Sequence, residues 1–359
     1  MIDEARLVRT FLDLVAIDSP SGHEAAISRE LADRLQQLGG VVEADEHGNL
    51  VARWPGEGEW LLLSAHMDTA GADTGITPVI GDGIIRSDGR TILGSDDKSG
   101  VAVILETVES LHEDGLRRPA LEVAITVSEE VGLRGARLLD KAQLRSRRGY
   151  VLDAGPALGM IVTSAPSQDS LQFTVRGRKA HAGSEPEKGI NAIRVAAEAI
   201  AAMPLGRIDF ETTANIGVIE GGEATNIVPD EVRMRGEARS RDEGKLAAQI
   251  AAMVAALQEA ADRHGGRAEA KIKRSYSSYR LEDDHPVVAH AVAAMERLGI
   301  EPEIRASGGG TDANILAEHG IFCAVLSTGQ TDVHTTNEHI AIADMVGCAK
   351  LVQEIVVTA

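Results

Sequence analysis

The strongest constraint on the fold of this chain is a set of three near-continuous apolar runs: WLLLSA at 60–65, LEVAITVS at 121–128 and GYVLDA at 149–154. They have strand length and no polar alternation, the pattern of strands covered on both faces of a sheet. Between the first two, SGVAVILETVESL predicts a helix over roughly 98–112 after a Gly-rich hairpin. Strand and helix therefore alternate in α/β fashion about a mixed sheet. The first forty residues read as two helices. Ser21 opens the second, with Glu24 three positions on at capping-box spacing. A turn at His47-Gly48-Asn49 leads into the sheet.

The pattern changes near residue 166. A strand (DSLQFTVRGR), a helix (GINAIRVAAEAIAAM), two strands (ANIGVIEGG and VRMRGEARS), an Ala-rich helix over roughly 243–264 and a last strand (AEAKIKRSY) follow in turn. The order β-α-β-β-α-β is that of a ferredoxin-like α+β unit. After about 277 the α/β pattern returns, with a helix (PVVAHAVAAMERLG), a Gly-rich turn (SGGGTDAN), a strand (IFCAVLS) and a C-terminal helix. The expected organisation is one α/β domain in two parts, 1–165 and 278–359, interrupted by an inserted α+β domain at 166–277.

Composition narrows the function. Lys and Arg total 36 against 55 Asp and Glu, a formal charge of −19. That is the opposite of the basic footprint of a nucleic-acid binder. With 43% hydrophobic residues, the chain supports a large core. No apolar run approaches the ~18 residues of a membrane span. The N-terminus, MIDEARLVRTFLDLVAI, lacks the basic region and cleavage site of a signal peptide. The expectation is a cytoplasmic enzyme with neither a nucleic-acid nor a membrane partner. Cys323 and Cys348 lie within apolar runs and read as buried thiols.

The chemistry gathers at the ends of the apolar runs. His66 and Asp68 directly follow the first, Glu129 and Glu130 follow the second, Asp153 closes the third, and His334 lies beyond IFCAVLS. In open α/β sheets the ligand crevice lies outside the carboxyl ends of the strands. Separate segments thus deliver two imidazoles and several carboxylates to one edge, and Asp96 and Asp97 add two acids from the loop before a helix. Singly, each has a plainer role: His-x-Asp occurs in surface turns, Asp97 suits an N-cap, and Asp153 a turn. Together they need a counter-charge, because acids gathered at one edge repel and lose ionisation.

Divalent cations supply that charge, and zinc suits mixed imidazole and carboxylate ligands. Two metals need a bridging carboxylate, and the water they share becomes a hydroxide nucleophile near neutral pH. A carboxylate outside the ligand set must take its proton. The doublet Glu129-Glu130 offers one side chain for each task. Asp68 is placed to accept the His66 N–H and hold its tautomer.

The stretches SAHMDT, GSDDKSG, SEEVG, VLDAG and HTTNEH, in that order, resemble the di-zinc peptidase family that includes peptidase T, carboxypeptidase G and the aminoacylases. GRKAHAGSEPEKGINAI and GGEATNIVPDEV resemble that family's lid, or dimerisation, domain. The match runs from about residue 5 to the C-terminus and is nearest the peptidase T-like branch. The resemblance implies one zinc on His66, Asp96 and Asp153 and a second on Glu130 and His334, with cobalt or manganese as alternative metals. Asp96 rather than Asp97 is implied as the bridge, because the family's bridging acid lies two residues before the lysine, here Lys98. The Asp96–Asp97 peptide is expected to be cis.

The resemblance also implies Glu129 as general base and acid and Asp68 as the residue orienting His66. His181 resembles a histidine lent to the neighbouring subunit, where it stabilises the tetrahedral oxyanion. A homodimer through the lid follows. Asn226, Arg239 (as a carboxylate clamp) and Gly309 in the Gly-rich turn are the expected substrate contacts. Peptidase T carries an arginine directly before Gly-Gly-Thr-Asp; here that position is Gly308, with Arg305 nearby.

The expected activity is that of a tripeptidase- or aminopeptidase-like exopeptidase acting on short peptides. Deacylation of N-acyl amino acids and carboxypeptidase action are alternatives on the same scaffold. A di-zinc aminopeptidase with a β-barrel insertion is opposed by the two helix-forming stretches in 166–277. A non-catalytic metal-binding protein would have no use for Glu129.

Overall fold

The three apolar runs become adjacent strands, Pro119–Thr126, Glu57–His66 and Arg148–Ala154, all parallel, with Phe322–Ser327 parallel on the far side. The computed structural model describes residues 1–359. Register sets His66 opposite Thr126 and Ser327 opposite Ala154, so the carboxyl ends of these strands finish together. Antiparallel pairing extends the sheet on both sides. Leu50–Trp54 and Val41–Ala44 form a hairpin on one flank, and Met160–Ala165 pairs with Phe322–Ser327 on the other. The sheet is mixed and the architecture α/β, as the uninterrupted apolar runs predict.

The chain separates into two compact units. One comprises Met1–Ser164, Arg280–Ser307 and Thr311–Ala359; the other comprises Ala165–Tyr279 with Gly308–Gly310. In the first unit the helix Ser95–Glu113 is buried along most of its length. It packs so tightly that a Cβ on Gly100 would lie 2.3 Å from the Leu152 carbonyl oxygen. Asp96 and Asp97, at its start, have non-helical backbone angles, and the peptide between them is cis.

One local expectation fails. The helix Ala25–Gln37 starts after Glu24 and has no side-chain cap, so Ser21 and Glu24 do not form a capping box. Ser21 instead donates its hydroxyl to Asp68, and the Glu24 carboxylate accepts the Gly22 N–H and both the N–H and hydroxyl of Ser128. The Ser-x-x-Glu pattern serves tertiary contacts rather than a helix end. A small four-stranded sheet, made of Gln330–Thr331, His339–Ala341, Ile84–Arg86 and Val79–Gly81, also departs from the sequence reading. Its strands are two or three residues long, too short to show a period. The last helix begins at Ile342, directly after the strand His339–Ala341.

The second unit is a five-stranded antiparallel sheet with two helices, Ala192–Ala202 and Glu243–His264. Its four long strands, numbered along the chain, lie in the order 2-3-1-4. Alternate residues Leu171, Phe173 and Val175 share the core with Val195 and Met253 from the helices. Asn191 and Asp242 cap the two helices by accepting the Arg194 and Lys245 N–H groups, and Gly265 closes the longer one in the left-handed conformation.

No helix of the chain is long and apolar enough to cross a membrane. Both cysteines are buried and unpaired. Burial pushes the Cys348 thiol up to about 12, and Cys323 is raised in the same way. The native protein should therefore be inert to dithionitrobenzoate near pH ~8 and release two equivalents only in denaturant. Fast reaction of either thiol in the native protein would contradict this packing.

Candidate metal centre

His66 is the last residue of its strand, and its imidazole points into the space beyond the sheet edge. Nε2 lies 3.0 Å from Asp96 Oδ1 and 3.9 Å from Asp153 Oδ1. The other oxygen of Asp96, Oδ2, is 3.1 Å from His334 Nε2, which is also 2.9 Å from Glu130 Oε1. Three sets of ligand-capable atoms result: His66 with Asp96 and Asp153, Asp96 with Glu130 and His334, and His66 with Glu129 and Glu130. Within each set the atoms lie within 4.8 Å of one another. Asp96 belongs to the first two sets through different oxygens.

The backbone is bent to present these groups. Ser128, just before the Glu129-Glu130 doublet, has φ 53°, and His334 has φ 63°. Non-glycine residues enter this region only where their surroundings hold them there. For Ser128 the holder is Glu24, as described above. Asp68 does more than the sequence reading assigned to it. Its Oδ1 accepts the Glu129 N–H at 2.9 Å, and Oδ2 accepts the Ser21 hydroxyl at 2.7 Å and the Glu130 N–H at 3.3 Å. The Nδ1 of His66 sits 3.1 Å from the Asp68 backbone carbonyl and 3.4 Å from its Oδ1. Asp97 faces the other way and accepts the N–H groups of His66 and Gly100, both at 3.2 Å.

Two buried acids were missed in the sequence. Asp312, the acid of the Thr-Asp pair closing the Gly-rich turn, accepts the hydroxyl of Thr126, the cross-strand partner of His66. Its other oxygen is buried with no hydrogen-bond partner. Glu338 accepts the N–H groups of Leu93, Gly94, Ser95 and Asp96. Its position between two histidines in HTTNEH was the available signal.

Crowding of like charges sets the electrostatics. Burial, followed by the charge of neighbouring carboxylates, raises Glu129 and Asp153 well above the usual carboxyl range. Burial also lifts Asp312 to about 6, against the pull of the Thr126 hydroxyl. Burial works to raise Asp96 too, but its bonds to His334 and His66 hold it well below that range. Hydrogen bonds to Asp96 and Glu130 raise His334 to about 10. For His66, burial is outweighed by Asp68 and Asp96, and the imidazole is raised. Lys98 is buried against the Ile17 carbonyl, and burial lowers it to about 8.

The remaining candidates belong to the second unit. His181 lies in the short strand Ala180–His181, paired with Ile227–Val228, and is exposed. Its Nδ1 accepts the N–H groups of Gly183 and Ser184 at 3.1 and 3.0 Å, so the ring proton resides on Nε2. Asn226 is adjacent, and its carbonyl accepts the Ala182 N–H. Arg239 is not grouped with them. It sits at the far end of the strand Glu231–Ser240, with its guanidinium on Glu237 at 2.9 and 3.0 Å. Gly309 lies in the turn preceding Gly310, whose N–H donates to the Tyr276 hydroxyl. Arg305 is on the strand Glu303–Ala306, ion-paired with Glu303.

Two imidazoles with the carboxylates of Asp96, Glu130 and Asp153 form a donor set suited to a divalent cation of zinc's character. The raised carboxyls are the groups whose charge a cation would stabilise. Fold and donor set together define a metal-dependent hydrolase. Residues 62–358 match Peptidase family M20/M25/M40, and the chain belongs to that family as a metallopeptidase of its peptidase T-like branch.

Across 366 aligned residues the chain is 43% identical to the uncharacterized protein YqjE of Bacillus subtilis, covering 99% of each. The crystal structure of aminopeptidase PepT from Bacillus cereus is 42% identical, with a TM-score of 0.89 over 99% of this chain and 98% of that one. A tripeptidase from Staphylococcus aureus is 39% identical, with a TM-score of 0.94 over 100% and 99%.

The raised His334 has a measurable consequence. A ligating imidazole must be neutral, so a metal held by His334 would have to displace a proton that the imidazole keeps up to a pH of about 10. Zinc uptake by the apoprotein should release protons, and apparent affinity should climb from about pH 6 to about pH 8. Calorimetry in buffers of different ionisation enthalpy reads the proton count. Affinity independent of pH would contradict the protonated histidine.

Proposed function

We propose that the chain is a co-catalytic di-zinc exopeptidase that hydrolyses short peptides in the cytoplasm. The carrying observation is the double role of Asp96, whose two oxygens each face a different histidine. On this reading His66, Asp96 and Asp153 would hold one metal and Glu130 and His334 the other, with Asp96 as the residue common to both. Bound zinc supplies Lewis acidity, lowering the pKa of water and polarising the scissile carbonyl. Similarity to an aminopeptidase and a tripeptidase supports short peptides as the substrate class.

The chain's own groups supply the proton transfers. Glu129 is buried beside the ligands, and a carboxyl raised in this way takes a proton from water and returns it to the departing amine. Asp68 holds the Glu129 and Glu130 backbone while restraining His66. His181, with its proton on Nε2, is a donor suited to the oxyanion of the tetrahedral intermediate. In this proposal it serves the neighbouring subunit of a homodimer formed through the second unit. Asn226, Arg239 and Gly309 contact substrate, with Arg239 leaving Glu237 to meet a terminal carboxylate.

Glu129→Ala should keep two equivalents of zinc and lose about 10²–10⁴-fold in kcat on tripeptides. Parent-like turnover with full metal would remove Glu129 from the mechanism. A panel of di- and tripeptides alongside acetyl-amino acids sets the substrate class; turnover of the acetyl-amino acids alone would replace the peptidase reading by deacylation.

The shared site has its own test. His181→Ala should cost about 10²–10³-fold. Mixing it with inactive Glu129→Ala should restore activity, since one subunit keeps Glu129 and the other lends His181. No recovery on mixing, or a fully active monomer, would refute the exchange.

A further inference from the structure

Glu338 binds no candidate metal position directly, yet its carboxylate gathers five donors. Oε2 accepts the N–H groups of Leu93 at 2.7 Å and Gly94 at 2.9 Å. Oε1 accepts the Ser95 N–H and hydroxyl, both at 2.6 Å, and the Asp96 N–H at 3.2 Å. The side chain is buried, with the residue only 1% exposed. Four successive backbone N–H groups converge on one anion, the arrangement of a backbone nest, here filled from within the chain. Gly94 makes the curl possible with φ 72°. The backbone of Glu338 is tied down as well: its N–H donates to the Thr335 carbonyl, and its carbonyl accepts the Ser87 N–H.

The two segments joined here are those that carry Asp96 and His334, far apart in sequence. Their side chains meet at 3.1 Å. We propose that Glu338 is a positioning residue that sets the separation of Asp96 from His334 and thereby builds the second metal position. The inference rests on the di-metal reading above. Of the three groups at the first position, His66 and Asp153 sit on adjoining strand ends that Glu338 does not touch, and only Asp96 is shared with the clamp. Loss of the clamp should therefore act mainly on the second metal equivalent and much less on the first.

The test uses the full-length protein with Glu338→Gln, Glu338→Ala and Glu338→Asp, titrated with zinc against a competing chelator. The second equivalent should weaken by about 10–100-fold in the Gln and Ala variants, with the first within about threefold of the parent. Amide exchange should accelerate at Leu93–Asp96, kcat should fall with KM little changed, and Glu338→Asp or added formate with Glu338→Ala should recover part of the loss. If the Glu338 variants do not fold, Ser95→Ala, which removes one of the five bonds, should weaken the second equivalent selectively.

Two clearly bound equivalents with parental affinity in folded variants would overturn the positioning role. So would equal weakening of both equivalents, which marks a general loss of stability. A parent that binds only one equivalent would instead defeat the di-metal reading, so the two failures are distinguishable.

Discussion

Like charges buried together at the end of a sheet are the constraint around which this protein is organised. Asp96, Asp153, Glu129 and Glu130 converge with His66 and His334 at the strand ends, with Asp312 behind them. Burial and mutual repulsion raise Glu129 and Asp153, and a bound cation would offset that repulsion. Hydrophobic burial of the strands and the helix Ser95–Glu113 provides the rigid base against which that repulsion is held.

The acids are held mainly by other acids. Asp68 accepts the N–H groups of Glu129 and Glu130, Glu24 accepts two groups of Ser128, and Glu338 accepts those of Leu93–Asp96. Each carboxylate turns a strained or irregular backbone segment toward the site, and hydrogen bonds to charged acceptors are the stronger ones. This pattern accounts for the positive φ at Ser128 without appeal to the ligands themselves. It also separates roles within paired acids: Asp96 faces the histidines, whereas Asp97 is consumed by the N–H groups of His66 and Gly100.

Much of this was legible in the sequence because periodicity reports burial. Uninterrupted runs marked the central strands, and the Ala-rich helix over 243–264 matches its observed bounds. The residues at strand ends could be collected at one edge because topology requires it. What escaped depended on long-range contacts. Nothing local distinguishes Glu24 as a tertiary acceptor from Glu24 in a capping box, and strands of two or three residues have no period to read. Glu338 and Asp312 lie in motifs otherwise dominated by histidine, glycine and threonine, and their partners across the fold, Leu93–Asp96 and Thr126, are what define their roles.

The central proposal is that Asp96 joins two metal ions. Electron paramagnetic resonance of the apoprotein reconstituted with manganese tests it most directly. At two equivalents, ions sharing a carboxylate should give an exchange-coupled multiline spectrum that is lost in Asp96→Ala. Two equivalents bound with only the simple six-line signal of isolated ions would contradict the account.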